Sequence, residues 1–382
     1  MPTHFELLRS SAPDAPRRGR LVTEHGTFQT PGFAPCATAG SVKGLLPEQV
    51  TASGTELILG NTYHLALRPG ADLVRDAGGL HRFMGWKGPI LTDSGGYQVF
   101  SLAGKRAITN DGVSFAGPDS GQELFLSPLT ALEIQRDLGS DIAMVLDECP
   151  PHACSRQQLE RAHSRTLSWA RTARTIHRDW GGIDRGQALF GIVQGGGERE
   201  LREQSCDELV ALDFDGYAIG GASVGEPKPE MHATIGWCTP RLPEDRIRYL
   251  MGVGDPDDLV LAVCRGVDIF DCVAPTRHGR NNRVWVPQGT LNLKNAQHRE
   301  SFVPLQAGCA CPACSNFTRA YIRHLAVAKE MLGGILQSLH NLWFLQSLMR
   351  GLRERIETGS TRDDLLAWFR ADYPGWSTDR AT

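Results

Sequence analysis

The sequence contains no long apolar run. Its 382 residues include no uninterrupted apolar stretch of membrane-spanning length, and the first ten, MPTHFELLRS, carry no segment suited to a signal peptide. A GxGxxG fingerprint after a predicted strand and a Walker-type phosphate loop are also absent. These absences predict a cytoplasmic protein that uses neither a membrane nor a nucleotide cofactor.

Charge is nearly balanced over the whole chain but unevenly distributed along it. The formal net charge is −3, yet residues 277–355 hold 11 lysines and arginines against 3 acidic residues. A basic surface on a slightly acidic protein is typical of phosphate contacts, although a solvated charged face would have the same composition. The hydrophobic content of 41% is sufficient for a full core, and the ten cysteines do not indicate a disulfide framework.

Short apolar runs, each ending in a polar or glycine-rich turn, alternate with helical stretches. The runs predict eight strands, at 33–38, 56–61, 89–93, 142–147, 188–194, 216–220, 248–251 and 268–271. Helices are predicted at 127–137, with Ser127 as N-cap, and at 157–179, 197–209, 228–238 and 256–265.

This alternation predicts an α/β fold, an irregular (β/α)₈ TIM barrel that forms one domain over residues 1–382. In such barrels the functional site lies at the carboxyl ends of the strands. Amide or carboxylate side chains end five of the predicted strands, at Asn61, Asp93, Asp147, Gln194 and Asp271. We therefore expect a polar site where these strand ends meet.

A cysteine cluster near the C-terminus predicts a metal site. Cys309, Cys311 and Cys314 lie within six residues, and a structural zinc ion requires four such ligands in a closed tetrahedron. His340 and His324 are the candidates for the fourth ligand, and His340 is favoured because it borders an apolar stripe at helical spacing. We expect one structural zinc ion per chain, held by an insertion at 295–345 that follows the eighth strand. A C-terminal helical segment is expected at 346–382.

Five motifs occur in an order that identifies a family. They are LTDSGGYQ at 91–98, DECP at 147–150, GIVQGG at 191–196, GGASVGE at 220–226 and FDCVAPTR at 270–277. Together with the cysteine cluster and His340, they resemble the tRNA-guanine transglycosylase family in its bacterial form. The resemblance covers nearly the whole chain. It implies a zinc-containing barrel enzyme that exchanges a guanine in tRNA for a 7-deazaguanine.

The resemblance assigns the chemistry to two carboxylates. Breaking a glycosidic bond with retention requires one carboxylate nucleophile and a second group that transfers protons. Asp271 would attack the ribose and form a covalent enzyme–RNA ester, and Asp93 would be the general acid and base. An isolated aspartate at a strand end would more ordinarily cap a helix or form a salt bridge, but here both stand in matching motifs.

The base pocket follows from the donors and acceptors of guanine. Its N1–H and N2 donors require a carboxylate, and its O6 and N7 acceptors require amide donors. The resemblance gives the first task to Asp147 and the second to Gln194 and the backbone N–H of Gly221. The other residues that it places around the base or the reacting nucleotide are Ser94, Tyr97, Gln98, Cys149, Gly220, Ala222 and Met251.

The resemblance also implies the partners. The substrates would be tRNAs with GUN anticodons (Asp, Asn, His and Tyr), modified at the wobble guanine, with phosphates held by Arg277, Arg280 and Lys294. Ala222 replaces the usual leucine of the GGLxVGE motif, whereas Cys149 and Val224 match bacterial members and favour 7-aminomethyl-7-deazaguanine as the incoming base. Glu226 would support the peptide that senses this base.

The family further implies a homodimer, with contacts around Phe83, Met84, Tyr321 and His324. Two other functional classes remain open at this point. One is a glycoside or nucleoside hydrolase on the same barrel, which would also use paired carboxylates. The other is a non-catalytic RNA-binding partner. The basic zinc segment weighs against the first, and the two intact aspartate motifs weigh against the second.

Overall fold

The computed structural model describes residues 3–96, 106–116 and 123–378. Its strands, numbered β1 to β16 in chain order, are His4–Arg9, Arg18–Thr23, Gly26–Thr30, Gly32–Pro35, Ile58–Gly60, Ile90–Thr92, Arg106–Ile108, Val113–Ala116, Glu123–Leu126, Ile142–Met144, Ala188–Val193, Gly216–Ile219, Ile247–Leu250, Ile269–Cys272, Arg283–Val286 and Gly289–Asn292.

The helices, numbered α1 to α14, are Pro47–Ala52, Thr62–Leu67, Ala71–Asp76, Gly79–Met84, Pro128–Leu138, Arg156–Asp179, Arg199–Ala211, Lys228–Cys238, Pro256–Val263, Ala274–Arg280, Pro312–Asn316, Arg319–Ala328, Met331–Glu357 and Arg362–Asp372. Short 3₁₀ helices lie at Gly182–Arg185, Thr239–Arg241 and Ala296–His298. Within the described residues, no helix combines the length and hydrophobicity needed to cross a membrane.

Eight parallel strands form the central sheet, in the order β4-β14-β13-β12-β11-β10-β6-β5. A parallel bridge between Cys36 and Leu59 joins the two outermost strands and closes the sheet into a barrel. Each of the eight strands predicted from the sequence overlaps one of these strands. The predicted (β/α)₈ barrel is therefore confirmed.

Helix α5, which precedes the barrel strand β10, begins where the sequence signal indicates. The hydroxyl of Ser127 accepts a hydrogen bond of 3.1 Å from the backbone N–H of Thr130, so Ser127 caps α5 as predicted. Pro128 occupies the first turn, where its missing N–H has no cost. Such signals are local, and they fix the ends of a helix independently of the rest of the fold.

Three smaller sheets were not predicted. An antiparallel sheet of β1, β2 and β3 lies on the amino side of the barrel, β7, β8 and β9 form a second, and β15 pairs with β16. The first sheet is tied to the barrel by a buried ion pair of 3.0 Å between Arg17 and Asp268. β1 has no buried residue and β2 alternates buried with more exposed residues, so neither forms the continuous apolar run by which the barrel strands were predicted.

The segment that carries the cysteine cluster follows the eighth barrel strand, as expected. It contains α11 and α12 and packs against α13, the long helix that also contacts the barrel through a 2.8 Å hydrogen bond from the Gln346 side chain to the Phe33 carbonyl. Helix α13 runs without interruption from Met331 to Glu357, so the expected insertion at 295–345 and the C-terminal segment at 346–382 share one helix. The boundary between them stays a prediction.

Candidate active site at the carboxyl end of the barrel

A cavity of about 360 Å³ opens at the carboxyl ends of the barrel strands. Three aspartates from three different strand ends line it, namely Asp93, Asp147 and Asp271. All three are less than a tenth exposed. Of the residues predicted for the base or nucleotide, Ser94, Cys149, Gln194, Gly220, Gly221 and Met251 also line this cavity.

Asp271 is held by donors on both of its oxygens. Oδ1 accepts hydrogen bonds from the Tyr249 hydroxyl at 2.6 Å and from the Gly252 N–H at 2.8 Å, whereas Oδ2 accepts a weaker one from the Cys36 thiol at 3.4 Å. Burial raises the pKa of the Asp271 carboxyl, and these donors offset part of the rise. The carboxylate is thus oriented, with one oxygen much less engaged than the other.

Asp93 follows β6 and faces the beginning of α2. Its Oδ1 accepts a hydrogen bond of 2.7 Å from the backbone N–H of Thr62, and its Oδ2 accepts one of 2.5 Å from the Asn61 side chain. The Thr62 hydroxyl donates to the Asp93 carbonyl as well. This network fixes the position of the carboxyl group at the edge of the cavity.

Asp147 is linked to two other predicted base-binding residues. Its Oδ1 accepts a hydrogen bond of 3.0 Å from the Ser94 hydroxyl, and its Oδ2 accepts one of 2.8 Å from the Gln194 side-chain amide. Burial raises the pKa of the Asp147 carboxyl, and these two hydrogen bonds act against the rise. The Asp147 carboxylate and the Gln194 amide therefore lie side by side. Together they can bind a ligand that carries both hydrogen-bond donors and acceptors.

Two glycines allow the backbone to approach these side chains. A Cβ at Gly96 would lie 2.0 Å from Oδ1 of Asp147, and one at Gly221 would lie 2.6 Å from Oε1 of Gln194. Gly221 also has a φ of +59°, which favours glycine. The glycine pairs of the motifs are thus explained by close packing around the cavity.

Two more predicted base-pocket residues, Ala222 and Cys149, are both buried. Ala222 is buried next to Gly221, and the thiol of Cys149 has its pKa raised to about 12, chiefly by burial, so that it is neutral at physiological pH. Tyr97 and Gln98 lie outside the described residues.

The three clustered cysteines converge on His340 and not on His324. The Sγ atoms of Cys309, Cys311 and Cys314 lie 3.9, 3.5 and 3.4 Å from Nδ1 of His340. Tetrahedral zinc bonds to sulfur and nitrogen would place such pairs about 3.6 Å apart. His340 Nε2 lies 2.8 Å from the Trp285 carbonyl, which leaves Nδ1 free to face an ion. These four residues could hold a metal ion.

Two other groups with metal-ligating side chains do not have this geometry. His25 and His81 each contact a different oxygen of Asp141, but their rings are stacked 3.5 Å apart and nearly parallel, so one ion could not lie in the plane of both. The second group, around Asp258, already contains the Lys228 ammonium group at 2.6 Å. Both are accounted for by contacts within the protein.

The three predicted phosphate-binding cations are exposed. Arg277 and Arg280 lie on α10, which follows the strand that carries Asp271, and Lys294 follows β16. Within the described residues, none of these three cations has a carboxylate within 4.0 Å. By contrast, exposed arginines elsewhere do pair, as Arg199 does with Glu203 at 2.7 Å. The three cations are thus available to an anionic partner.

Several residues of the site have no role assigned from the sequence. Tyr249 and Cys36, which contact Asp271, belong to apolar strand runs in which they resemble core residues. Asn61 is a predicted polar strand end, but its bond to Asp93 depends on strand order. Arg202 was also missed, because nothing in the sequence of this largely polar helix distinguishes a buried arginine from an exposed one.

Comparisons with known proteins all point to one family. A sequence model of the family described as Queuine tRNA-ribosyltransferase matches residues 13–374. A protein of that name from Pelotomaculum thermopropionicum is 51% identical over 376 residues, which cover 97% of this chain and 100% of the relative. One from Symbiobacterium thermophilum is 52% identical over 98% of this chain and 93% of its own length. One from Tolumonas auensis is 47% identical over 98% of this chain and its full length.

Proposed function

The chain belongs to the queuine tRNA-ribosyltransferase family, and from this membership we propose that it is a pentosyltransferase that replaces a guanine in tRNA. The incoming base would be 7-aminomethyl-7-deazaguanine, and the reaction a double displacement through a covalent aspartyl-RNA intermediate. The observation that carries this proposal is the convergence of Asp93, Asp147 and Asp271 on one cavity. Two of these would perform the chemistry, and the third would bind the base.

In the first half-reaction Oδ2 of Asp271 attacks C1′ of the ribose. The bond from C1′ to N9 of guanine breaks, its electron pair goes to the base, and Asp93 supplies the proton that neutralises the departing guanine. In the second half-reaction Asp93 takes the N9 proton of the incoming base as that base attacks C1′. The ester bond breaks and its electron pair returns to Asp271. Two displacements at C1′ retain its configuration.

The base pocket would use the pair formed by Asp147 and Gln194. Asp147 can accept hydrogen bonds from N1–H and the N2 amino group of guanine. The Gln194 amide has two N–H bonds, of which the bond to Asp147 uses one, so the second can reach O6. Both side chains are almost fully buried, and a base that fails to match them would leave their polar groups unsatisfied.

Recognition of the 7-aminomethyl substituent would involve the loop after β12. Ala222 would offer its carbonyl to the aminomethyl group, and its small side chain leaves more room than the leucine usual in the family. The carboxylate of Glu226 accepts a hydrogen bond of 2.9 Å from the Val224 N–H, which braces this loop next to the pocket. The preference for the 7-aminomethyl base rests on Cys149 and Val224, which match bacterial members and line the site.

The polynucleotide would be held outside the cavity. Arg277, Arg280 and Lys294 have no carboxylate partner within the described residues, and they lie beyond the strand that carries the nucleophile. Phosphates that flank the reacting nucleotide could bind there while the base leaves its stack and enters the cavity. The substrates proposed are tRNAs for Asp, Asn, His and Tyr, with GUN anticodons and the wobble guanine as target.

The metal of the cysteine cluster would be zinc with a structural role. Cys309, Cys311, Cys314 and His340 provide four protein ligands, which is the set typical of closed structural sites. When bound, the ion would crosslink the insertion to α13 and would take no part in the reaction.

The enzyme is proposed to be a homodimer that acts in the cytoplasm. The exposed Phe83 and Tyr321, with His324, would contribute to the dimer contact.

The test uses unmodified tRNA with a GUN anticodon, incubated with the protein and then run on a denaturing gel. We expect a covalent protein–RNA band that disappears into modified tRNA when 7-aminomethyl-7-deazaguanine is added. Asp271→Asn should give no band, and Asp179→Asn, which changes an exposed aspartate on α6, should give the parental band. Release of free guanine without base exchange would instead indicate a hydrolase. Binding of tRNA without either reaction would indicate a non-catalytic RNA-binding protein.

A further inference from the structure

Arg202 is a fully buried arginine behind the base pocket, at 0% exposure on the second turn of α7. Its guanidinium donates to four backbone carbonyls. They belong to Val193 at 3.0 Å, Gly196 at 2.8 Å, Gly220 at 2.6 Å and Gly221 at 3.0 Å. One side chain therefore connects the loop after β11 with the loop after β12.

The orientation of one peptide unit depends on this arginine. The carbonyl of Gly220 and the N–H of Gly221 belong to the same peptide, so a donor that holds the carbonyl on one side directs the N–H to the other side. Within the described residues, that N–H donates no hydrogen bond, and Gly221 lines the cavity. Arg202 thus aims an unused donor at the place where a base would bind.

The same helix face also supports Gln194. The hydroxyl of Ser205, one turn after Arg202, accepts a hydrogen bond of 3.2 Å from the backbone N–H of Gln194. The carbonyl of the preceding residue, Val193, is held by Arg202 itself. Both groups that would contact O6 of guanine, the Gln194 amide and the Gly221 N–H, are therefore positioned from α7.

The charge of Arg202 is a further clue, because burying a guanidinium is costly unless it is compensated. Within the described residues no carboxylate lies within 4.0 Å of this guanidinium, and its partners are carbonyl dipoles. A positive charge on the Gly220 carbonyl polarises the amide and makes the Gly221 N–H a stronger donor. An ion pair at this position would neutralise that effect.

We propose that Arg202 is the positioning residue for base recognition, which orients and polarises the Gly220–Gly221 peptide so that its N–H binds O6 of the base. This role rests on the proposed function of the cavity. It also extends that function, since it assigns selectivity for a 6-oxo purine to a residue that does not touch the base. Loss of the guanidinium should weaken recognition of O6 more than recognition of the rest of the base.

The test compares guanine with 6-thioguanine, which keeps the N1–H and N2 donors but presents sulfur, a weaker acceptor, in place of O6. Equilibrium dialysis with the two radiolabelled bases gives the ratio of their dissociation constants for the parent, Arg202→Lys and Arg202→Gln. We expect the preference for guanine to fall about tenfold in Arg202→Lys and further in Arg202→Gln, as a charge-assisted hydrogen bond is weakened. In base exchange, KM for the base should rise by a larger factor than kcat falls.

The control is Arg199→Lys, which removes an exposed guanidinium from the preceding turn of the same helix and should keep the parental ratio. If Arg202→Lys binds both bases more weakly but in the parental ratio, Arg202 is a structural brace and the proposal is overturned. Thermal unfolding reports on folding separately, and should Arg202→Gln not fold, the ratio in Arg202→Lys decides. If the parent protein binds neither base, the proposed function itself is wrong, whatever Arg202 does.

Discussion

The Tyr249 hydroxyl donates a hydrogen bond of 2.6 Å to Oδ1 of Asp271. Burial raises the pKa of the Tyr249 phenol well above its ordinary value, so the hydroxyl stays protonated and remains a donor. Because the Gly252 N–H also binds Oδ1, this oxygen is the more engaged of the two. In the proposed reaction Oδ2, which receives only the longer contact from the Cys36 thiol, would be the attacking oxygen.

Tyr249→Phe should make base exchange more sensitive to acid. Loss of the phenol donor removes stabilisation of the Asp271 carboxylate, so its pKa, already raised by burial, should rise further. A carboxyl group with a higher pKa stays protonated up to a higher pH, and the protonated form cannot attack C1′. We therefore expect the acid limb of the pH–rate profile to move to higher pH, with a rate loss of about tenfold at neutral pH.

The measurement is the rate of covalent-intermediate formation in a single turnover, as a function of pH. Tyr217→Phe is the matched control, since Tyr217 is equally buried but its hydroxyl contacts the Phe214 N–H instead of a carboxylate. An acid limb that stays in place in Tyr249→Phe would contradict the assignment.

Asp271→Asn should abolish the covalent intermediate and stabilise the fold. The pKa of Asp271 is raised in the folded state, so the folded protein binds the proton more tightly than the unfolded chain does. This aspartate therefore lowers stability as pH rises from its unfolded pKa through its folded pKa, and the penalty is fully present above that window. The neutral amide removes the penalty and still accepts the bond from Tyr249. We expect an increase in Tm of about 1–3 °C at neutral pH.

Thermal unfolding at two pH values checks this sign. The difference in Tm between parent and variant should shrink as the pH is lowered to the ordinary aspartate pKa of 3.8, because the raised pKa leaves most of the parental carboxyl protonated there. A variant that is less stable than the parent at neutral pH would show that the carboxylate is net stabilising in the fold. Asp179→Asn, at an exposed position, should change Tm little.

His340→Ala should remove the metal site and loosen the insertion. His340 is fully buried between the three cysteines and Trp285, so its loss leaves an incomplete ligand set that binds zinc poorly. We expect a bound zinc content near zero and faster proteolysis within residues 295–328. Metal analysis of protein purified without chelator, followed by limited proteolysis, measures both.

His324→Ala is the control for the metal site, because His324 is an exposed histidine on the neighbouring helix α12. It should retain one zinc ion per chain. Equal loss of zinc in both variants would contradict the ligand set of Cys309, Cys311, Cys314 and His340.

Arg277→Ala and Arg280→Ala should reduce the salt dependence of tRNA binding. Each cation that neutralises a phosphate releases a counterion, so the slope of log K against log salt should become shallower by about 0.7 to 0.9 per removed arginine. The slope comes from binding titrations at several salt concentrations. Arg178→Ala, at an exposed position near the end of α6, should leave it unchanged. If the Arg277 and Arg280 variants also keep the parental slope, these arginines do not contact phosphate.

Much of the fold followed from the sequence because its signals are local. An apolar run that ends in a polar residue predicts a strand whether or not its neighbours are known, and the order of eight such runs indicates a closed barrel. The barrel then brings Asp93, Asp147 and Asp271 to the same end. In the same way, three cysteines within six residues predict a metal site because their spacing alone brings three thiols close together.

The tertiary structure alone decided which residues support those groups. Tyr249 lies on an apolar strand, where it has the pattern of a core residue, whereas Arg202 lies on a largely polar helix, where it has the pattern of a surface residue. Their partners Asp271 and Gly220 are 22 and 18 residues away along the chain. The sequence already favoured His340 over His324, and the packing of α13 against the cysteine loop brings His340 to the three thiols. Local sequence determines where strands and helices begin and end. Contacts between distant segments, which depend on strand order and helix packing, determine which polar groups meet.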